Sequence, residues 1–150
     1  MKEEILIFSN FNDIFDLLIR EEQKAIEVYN SMARRSENLE SRKTFEQFAR
    51  DKMAHVVELK QRRNQYPGNT FDTPLQVSVP RITRRADGLK RMSYSDILSF
   101  AIEEERKSEF LYQTIANQMK HQQVNHLFEL FGQEEKKHRL RLEKILSFGE

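Results

Sequence analysis

Glu135 and His138 lie in a stretch whose large apolar residues, Phe128, Phe131, Leu142 and Ile145, fall at steps of three and four or their sums. That spacing is one face of an α-helix, and Glu135 and His138 sit on the same face. A carboxylate and an imidazole three residues apart, pointing inward among phenylalanines, are costly to bury without partners. A divalent metal ion would satisfy both. Glu-x-x-His pairs on the inner faces of bundle helices hold pairs of iron or manganese ions in carboxylate-bridged centres. One such pair is a weak signal, because Glu and His are common on helices.

A second copy of the arrangement strengthens it. At a constant offset of 83 residues, Glu105 falls on Glu22, Tyr112 on Tyr29, Phe128 on Phe45, Phe131 on Phe48, His138 on His55 and Leu142 on Leu59. Asp96 and Ile97 likewise fall on Asp13 and Ile14, and Glu104 and Lys107 on Glu21 and Lys24. Two copies with so long a period do not make a solenoid. They predict two helical hairpins that face each other as a four-helix bundle. Each half supplies Glu-x6-Tyr on its first helix and an inward His on its second. The constellation is therefore Glu22, position 52, His55, Glu105, Glu135 and His138, with a metal-ligand type everywhere except Lys52.

The elements that must position these residues follow from periodicity and caps. Helices are predicted over about 11–35, 40–64, 94–119 and 124–148, in a single domain spanning 1–150. Asn10 with Asp13, and Ser93 with Asp96, are N-caps at matching offsets in the two halves. The inward faces read Ile14, Leu18, Glu22, Ala25, Tyr29 and Met32; then Phe45, Phe48, Lys52, His55 and Leu59; then Ile97, Ala101, Glu105, Ser108, Tyr112 and Ile115. Glu21 and Glu27 read as surface residues, as do His121 and His126 near the second hairpin turn. Residues 1–9 form a short strand or turn that packs on the bundle or on a partner subunit. Residues 65–93 break the helical pattern, with a turn signal at Tyr66-Pro67-Gly68-Asn69 and an extended Leu75–Val79 between Pro74 and Pro80. A long irregular connection is unusual, but it serves as a crossover. A helix of 25 residues is roughly 38 Å long, and nearly 30 extended residues can run back along it.

Composition narrows the function classes. A chain of 150 residues is long enough for one real core, and with 4 Gly, 3 Pro and 33% charged residues it reads as an all-α protein. The net charge of +1, with both signs interleaved, gives no nucleic-acid or membrane footprint. The basic cluster Arg81, Arg84, Arg85, Lys90 and Arg91 lacks interleaved aromatics and reads as a solvated loop. Cysteine is absent, which excludes disulfides, thiol catalysis and cysteine-ligated iron. It also fits a cytoplasmic location. The apolar run Ile5–Phe8 is too short for a signal peptide or a membrane span.

From about residue 10 to 147 the sequence resembles the rubrerythrin branch of the ferritin-like superfamily. The resemblance rests on Glu22-x6-Tyr29, Asp51-Lys52-x-x-His55, Glu105-x6-Tyr112 and Glu134-Glu135-x-x-His138. It implies a ferritin-like four-helix bundle of two repeated hairpins joined by a long crossover. It also implies a metal centre with Glu22 and Glu105 as terminal carboxylates, His55 and His138 as one imidazole per metal, and Glu135 as a bridge. Asp51 and Glu134 would orient the histidines from behind, and Tyr29 and Tyr112 would bond near the site or fill the core. The implied cofactor is iron, as one or two ions, with manganese or zinc as alternatives. The implied activity is that of an oxidoreductase of peroxidase or ferroxidase type, acting on peroxide, oxygen or ferrous iron. A homodimer and, for redox turnover, a separate electron-donor protein are the implied partners.

The sequence departs from the family pattern in three places. Lys52 stands where the family has its second bridging glutamate, Ser108 where classical members carry a further glutamate, and no cysteine-ligated rubredoxin domain is present. Lys52 changes the charge count. Glu22, Glu105 and Glu135 supply −3, and a protonated Lys52 leaves −2, which matches one divalent ion rather than two. An ammonium has no lone pair and cannot ligate. Lys52 could stay charged in place of one metal, lose its proton on burial, or snorkel outward along its apolar stem; the first is the expectation. The rival reading is a degenerate ferritin-like structural or interaction protein in which Lys52 has become the counter-ion of former ligands. A plain bundle with chance carboxylates would not keep inward Glu and His at matching positions in both halves.

Overall fold

The computed structural model describes residues 3–66, 70–80 and 91–148. Four long helices dominate: α1 Phe11–Arg35, α2 Leu39–Gln65, α3 Tyr94–Gln118 and α4 Gln122–Phe148. They pair as hairpins, α1 with α2 and α3 with α4, and the hairpins pack face to face as a four-helix bundle. The helix starts are set by side chains that accept otherwise orphaned amides. Asn10 accepts from the Asp13 N–H at 2.9 Å, Asn38 from Ser41 at 3.1 Å and Ser93 from Asp96 at 3.1 Å. Replacing Ser93 by Ala removes one of these caps, and urea unfolding should record a loss of about 1 kcal/mol.

The crossover is more regular than its proline content suggests. Thr70–Pro80 forms an 11-residue strand, β2, which pairs antiparallel with β1, Glu3–Asn10. The register sets Ile5 opposite Ser78 and Phe8 opposite Leu75, with an irregularity between Phe8 and Asn10. Residues 3–10 and much of the expected irregular connection thus form a two-stranded ribbon added to the helical bundle. The ribbon buries Phe8 and Val77 against the bundle and leaves Ile5 and Ile7 exposed on its outer face, the alternation of a half-buried strand. Pro67, Gly68 and Asn69 of the expected turn, and Arg81, Arg84, Arg85 and Lys90 of the basic cluster, lie outside the described residues.

The apolar core is split into two clusters. One contains Phe8, Phe11, Phe15, Leu18, Leu59, Val77, Ile115 and Phe128; the other contains Met32, Phe45, Phe48, Ile97, Ala101, Leu142 and Ile145. α2 ends at the first, where Tyr66 packs on Phe11 with ring centroids 5.0 Å apart. α3 begins at the second, where Tyr94 packs against the cluster. The two ends of the connection, Tyr66 and Tyr94, therefore lie against different core clusters. His121, read as a surface residue, is partly buried: its ring sits edge-on against Phe11 and Tyr66 and caps α4 by accepting from the Val124 N–H at 3.3 Å. His126 is exposed.

Candidate metal centre

Along every helix the polar inward residues fall between the two apolar clusters. Leu18 and Tyr29 bracket Glu22, Phe48 and Leu59 bracket Lys52 and His55, Ala101 and Leu111 bracket Glu105, and Phe131 and Leu142 bracket Glu135 and His138. All six polar residues are buried, from fully buried Glu135 to 6% exposed His138. The helical period put them on one face, and the pairing of hairpins brings the four faces together.

The contacts within this layer cross from one half of the chain to the other. The Tyr29 hydroxyl donates to Glu105, and the Tyr112 hydroxyl donates to Glu22 at 3.0 Å. His55 Nε2 faces Glu134, and His138 Nε2 faces Asp51 Oδ2 at 3.0 Å. The His55 ring stacks on Phe131 with centroids 4.0 Å apart, and the His138 ring on Phe48 at 4.1 Å. Each of the three relations appears twice, as a pseudo-twofold requires. Glu134 and Asp51 hold the outer nitrogens of the two imidazoles and leave both Nδ1 atoms facing the carboxylates. Gly132 sits where α4 comes close to α3: a Cβ there would meet Tyr112 Cβ at 3.4 Å.

Glu22, His55 and Glu135 offer ligand atoms that lie within 4.8 Å of one another, and so do Glu105, Glu135 and His138. Glu135 belongs to both triples. Two buried atoms of this layer, Glu135 Oε1 and His138 Nδ1, have no hydrogen-bond partner. Buried polar atoms are rarely left unpaired, and a carboxylate oxygen and an imidazole lone pair are both donors to a cation. The residues fit a bound divalent ion on that ground.

Lys52 lies in the same layer. Its side chain is 1% exposed, so it does not snorkel outward. Its Nζ lies 3.0 Å from Glu105 Oε1, 3.7 Å from Glu22 Oε2 and in contact with Glu135. Burial works against the ammonium, but the charges of Glu105, Glu135 and Glu22 outweigh it and hold the group above its ordinary value. Lys52 thus lies within a network that joins it to Glu22, Glu105 and Glu135.

The other groups respond to the same field. Burial lowers His55, yet the neighbouring carboxylates of Glu134, Glu135 and Glu22 raise it to about 11. His138 is held below its ordinary value, chiefly by burial, with Lys52 adding to it. Burial and then the charge of Glu135 push Glu105 up to about 8. Burial also raises both tyrosines, with neighbouring carboxylates adding to it, so the phenols keep the protons they donate.

Sequence reasoning missed the rim above this layer. Glu21 is 3.4 Å from Lys24 on its own helix and 3.6 Å from Lys107 across the bundle. Beside them a cavity of about 10 Å³, room for one water, is lined by Ala25, Tyr29, Ala101, Glu104 and Glu105. The repeated Glu21/Glu104 and Lys24/Lys107 pairs were the signal for it. Ser108, at the position of the family's further glutamate, is half-buried.

The rubrerythrin family model matches residues 96–149. A protein from Thermotoga maritima described as a ferritin-like diiron-carboxylate protein superposes with a TM-score of 0.80, over 95% of this chain and 99% of that one, at 17% identity. A hypothetical protein from Pyrococcus furiosus superposes with a TM-score of 0.71, over 93% of this chain and 92% of that one, at 18% identity. The chain is rubrerythrin-like. No curated protein sequence matches it. The rubrerythrin match spans nearly all of α3 and α4, and so includes Glu105, Glu135 and His138; Glu22, Lys52 and His55 lie outside it. Structural similarity at these identities carries the fold, and it extends over both hairpins. Among the described residues no helix is long and apolar enough to cross a membrane.

Proposed function

We propose that this rubrerythrin-like chain is a non-haem iron protein, an oxidoreductase that acts on peroxide, oxygen or ferrous iron at the buried carboxylate–histidine layer. The observation that carries the reading is the convergence of two Glu/Glu/His triples on one shared carboxylate, Glu135, in a core that is otherwise apolar. Glu22, Glu105 and Glu135 would supply oxygens, and His55 and His138 nitrogens. Bound ferrous iron would supply electrons to an oxidant.

The chain's own residues do the rest. Glu134 and Asp51 fix the imidazole orientations through the outer nitrogens, so that Nδ1 is the atom presented inward. Tyr112 and Tyr29 donate to the terminal carboxylates and stop them rotating away. Phe48 and Phe131 cover the imidazole faces and keep bulk water off the layer. Because Glu134 acts through His55, Glu134→Ala should weaken metal binding about 10–100-fold without unfolding the protein, as read by metal titration and circular dichroism. A separate electron-donor protein, for redox turnover, and a homodimer in the cytoplasm belong to the same proposal.

The rival reading has one observation in its favour. The Lys52 ammonium already reaches all three buried carboxylates, as the counter-ion of a structural protein would. Anaerobic loading with ferrous iron separates the two. Iron that remains bound after desalting and oxidises on exposure to oxygen or peroxide, with an absorbance change lost in Glu135→Ala, supports the oxidoreductase. Failure of the wild type to retain iron overturns it in favour of the structural protein.

A further inference from the structure

The two triples share Glu135 but are not equivalent. In the first, His55 Nδ1 lies 3.2 Å from Glu22 Oε2 and 3.4 Å from Glu135 Oε1. Those separations suit donor atoms around one ion, since bonds of about 2.1 Å in a tetrahedral arrangement set ligands roughly 3.4 Å apart. The Glu135 Oε1 atom of this group is one of the two buried atoms without a hydrogen-bond partner.

His55 Nδ1 and Glu22 Oε2 are a hydrogen-bonded pair in the first triple, but the second triple is the one that lies closest to the ammonium. Both oxygens of Glu105 are within reach of the Lys52 Nζ, at 3.0 and 3.2 Å, and Glu135 Oε2 is in contact with it. His138 Nδ1 also lacks a hydrogen-bond partner, but the carboxylate beside it, Glu105 at 3.8 Å, holds the ammonium. An ion chelated there would sit against a tethered positive charge with little solvent between them. The Glu22 oxygen lies farther from the ammonium, at 3.7 Å.

We infer that the centre takes a single divalent metal ion, held by Glu22, His55 and Glu135, and that the Lys52 ammonium occupies the Glu105 half as a covalently tethered second cation. The inference rests on the proposed function in so far as that makes the layer a metal site, and it goes further in fixing the stoichiometry and the half that is occupied. The charge count agrees. With all three carboxylates ionised, one ammonium and one divalent ion bring the sum to zero, whereas a second divalent ion would leave +2 in an apolar interior. Lys52 thus keeps the electrostatic form of a two-cation bundle with only one exchangeable ion. The pseudo-twofold relates the carboxylates, histidines and tyrosines of the two halves, and position 52 breaks it: its repeat mate is Glu135.

The test is metal per folded chain, by elemental analysis after anaerobic equilibration with ferrous iron and, in parallel, with redox-inert cobalt(II). The proteins are the wild type, Lys52→Glu, His55→Ala and His138→Ala. The expected result is one ion in the wild type, two in Lys52→Glu, binding weakened at least tenfold in His55→Ala, and one ion retained in His138→Ala. Two ions in the wild type would overturn the inference and leave the metal-protein reading standing. No ion in either the wild type or Lys52→Glu would overturn both. One ion in both would show that Lys52 does not hold a second ion's place. Loss of the ion in His138→Ala with retention in His55→Ala would place it in the wrong half. Should Lys52→Glu fail to fold, the wild-type stoichiometry and the two histidine variants decide the matter alone.

Discussion

Metal-free Lys52→Met should unfold about 3–5 kcal/mol more easily than the wild type at neutral pH, because removing one partner of a buried ionic network leaves the others uncompensated. Lys52 is 1% exposed and its ammonium faces Glu22, Glu105 and Glu135, themselves 2%, 2% and 0% exposed. Methionine keeps an unbranched, flexible stem in the same space, so packing changes little and charge changes by one. The three carboxylates would answer by taking up protons. The loss should therefore shrink as pH falls, since protonation removes the repulsion that the missing ammonium had countered. Urea unfolding in the presence of a chelator measures this at two pH values. Adding a divalent ion at 100 times its dissociation constant should return about 2.7 kcal/mol, and more than it returns to the wild type if binding tightens once the competing ammonium is gone. A cost below about 1 kcal/mol would mean that the carboxylates are already protonated in the wild type, and that this layer holds no ionic network.

Phe128→Ala should cost a similar amount, about 3–5 kcal/mol, for a different reason: lost burial plus the cavity left behind. Phe128 has 0% exposure and packs against Phe15 and Tyr112, with ring centroids at 5.7 and 5.8 Å. Tyr112 is the residue whose hydroxyl holds Glu22 at 3.0 Å. The void should thus loosen a carboxylate of the candidate metal centre as well as the core, and the metal affinity proposed for it should fall with stability. Phe148→Ala is the control. That ring is 70% exposed, and its loss should stay within about 0.5 kcal/mol. Urea midpoints at unchanged slope, with metal titrations on the same samples, check both effects. Equal midpoints for the two variants would contradict the placement of Phe128 in the core.

A comparison of residues shows how far the primary structure reaches. The 83-residue repeat and the 3.6-residue period place Glu22, His55, Glu105, Glu135 and His138 on inward faces, and all five are buried in the folded chain. The caps Asn10 and Ser93 were legible because capping is local: a side-chain oxygen and an amide three residues away. The ribbon was not. β1 and β2 pair residues 3–10 with 70–80, and no periodicity within either segment says that the other is its partner. The ring contacts of His121 were hidden for the same reason, since Phe11 and Tyr66 are far away in sequence.

Within the centre the division is finer. Helical period fixes the direction a residue faces from its own axis, and it put Lys52 on the inward face of α2 while leaving open whether its long stem snorkels outward. It says nothing about the height and rotation of one helix against the next. Those came only with packing. They set Asp51 against His138 and Glu134 against His55, tied Tyr29 to Glu105 and Tyr112 to Glu22, and put the Lys52 ammonium closer to Glu105 than to Glu22. The identity of the charged residues was written in the chain; which of the two halves the ammonium occupies depended on distances of 3.0 against 3.7 Å, a difference that exists only once four helices are in contact.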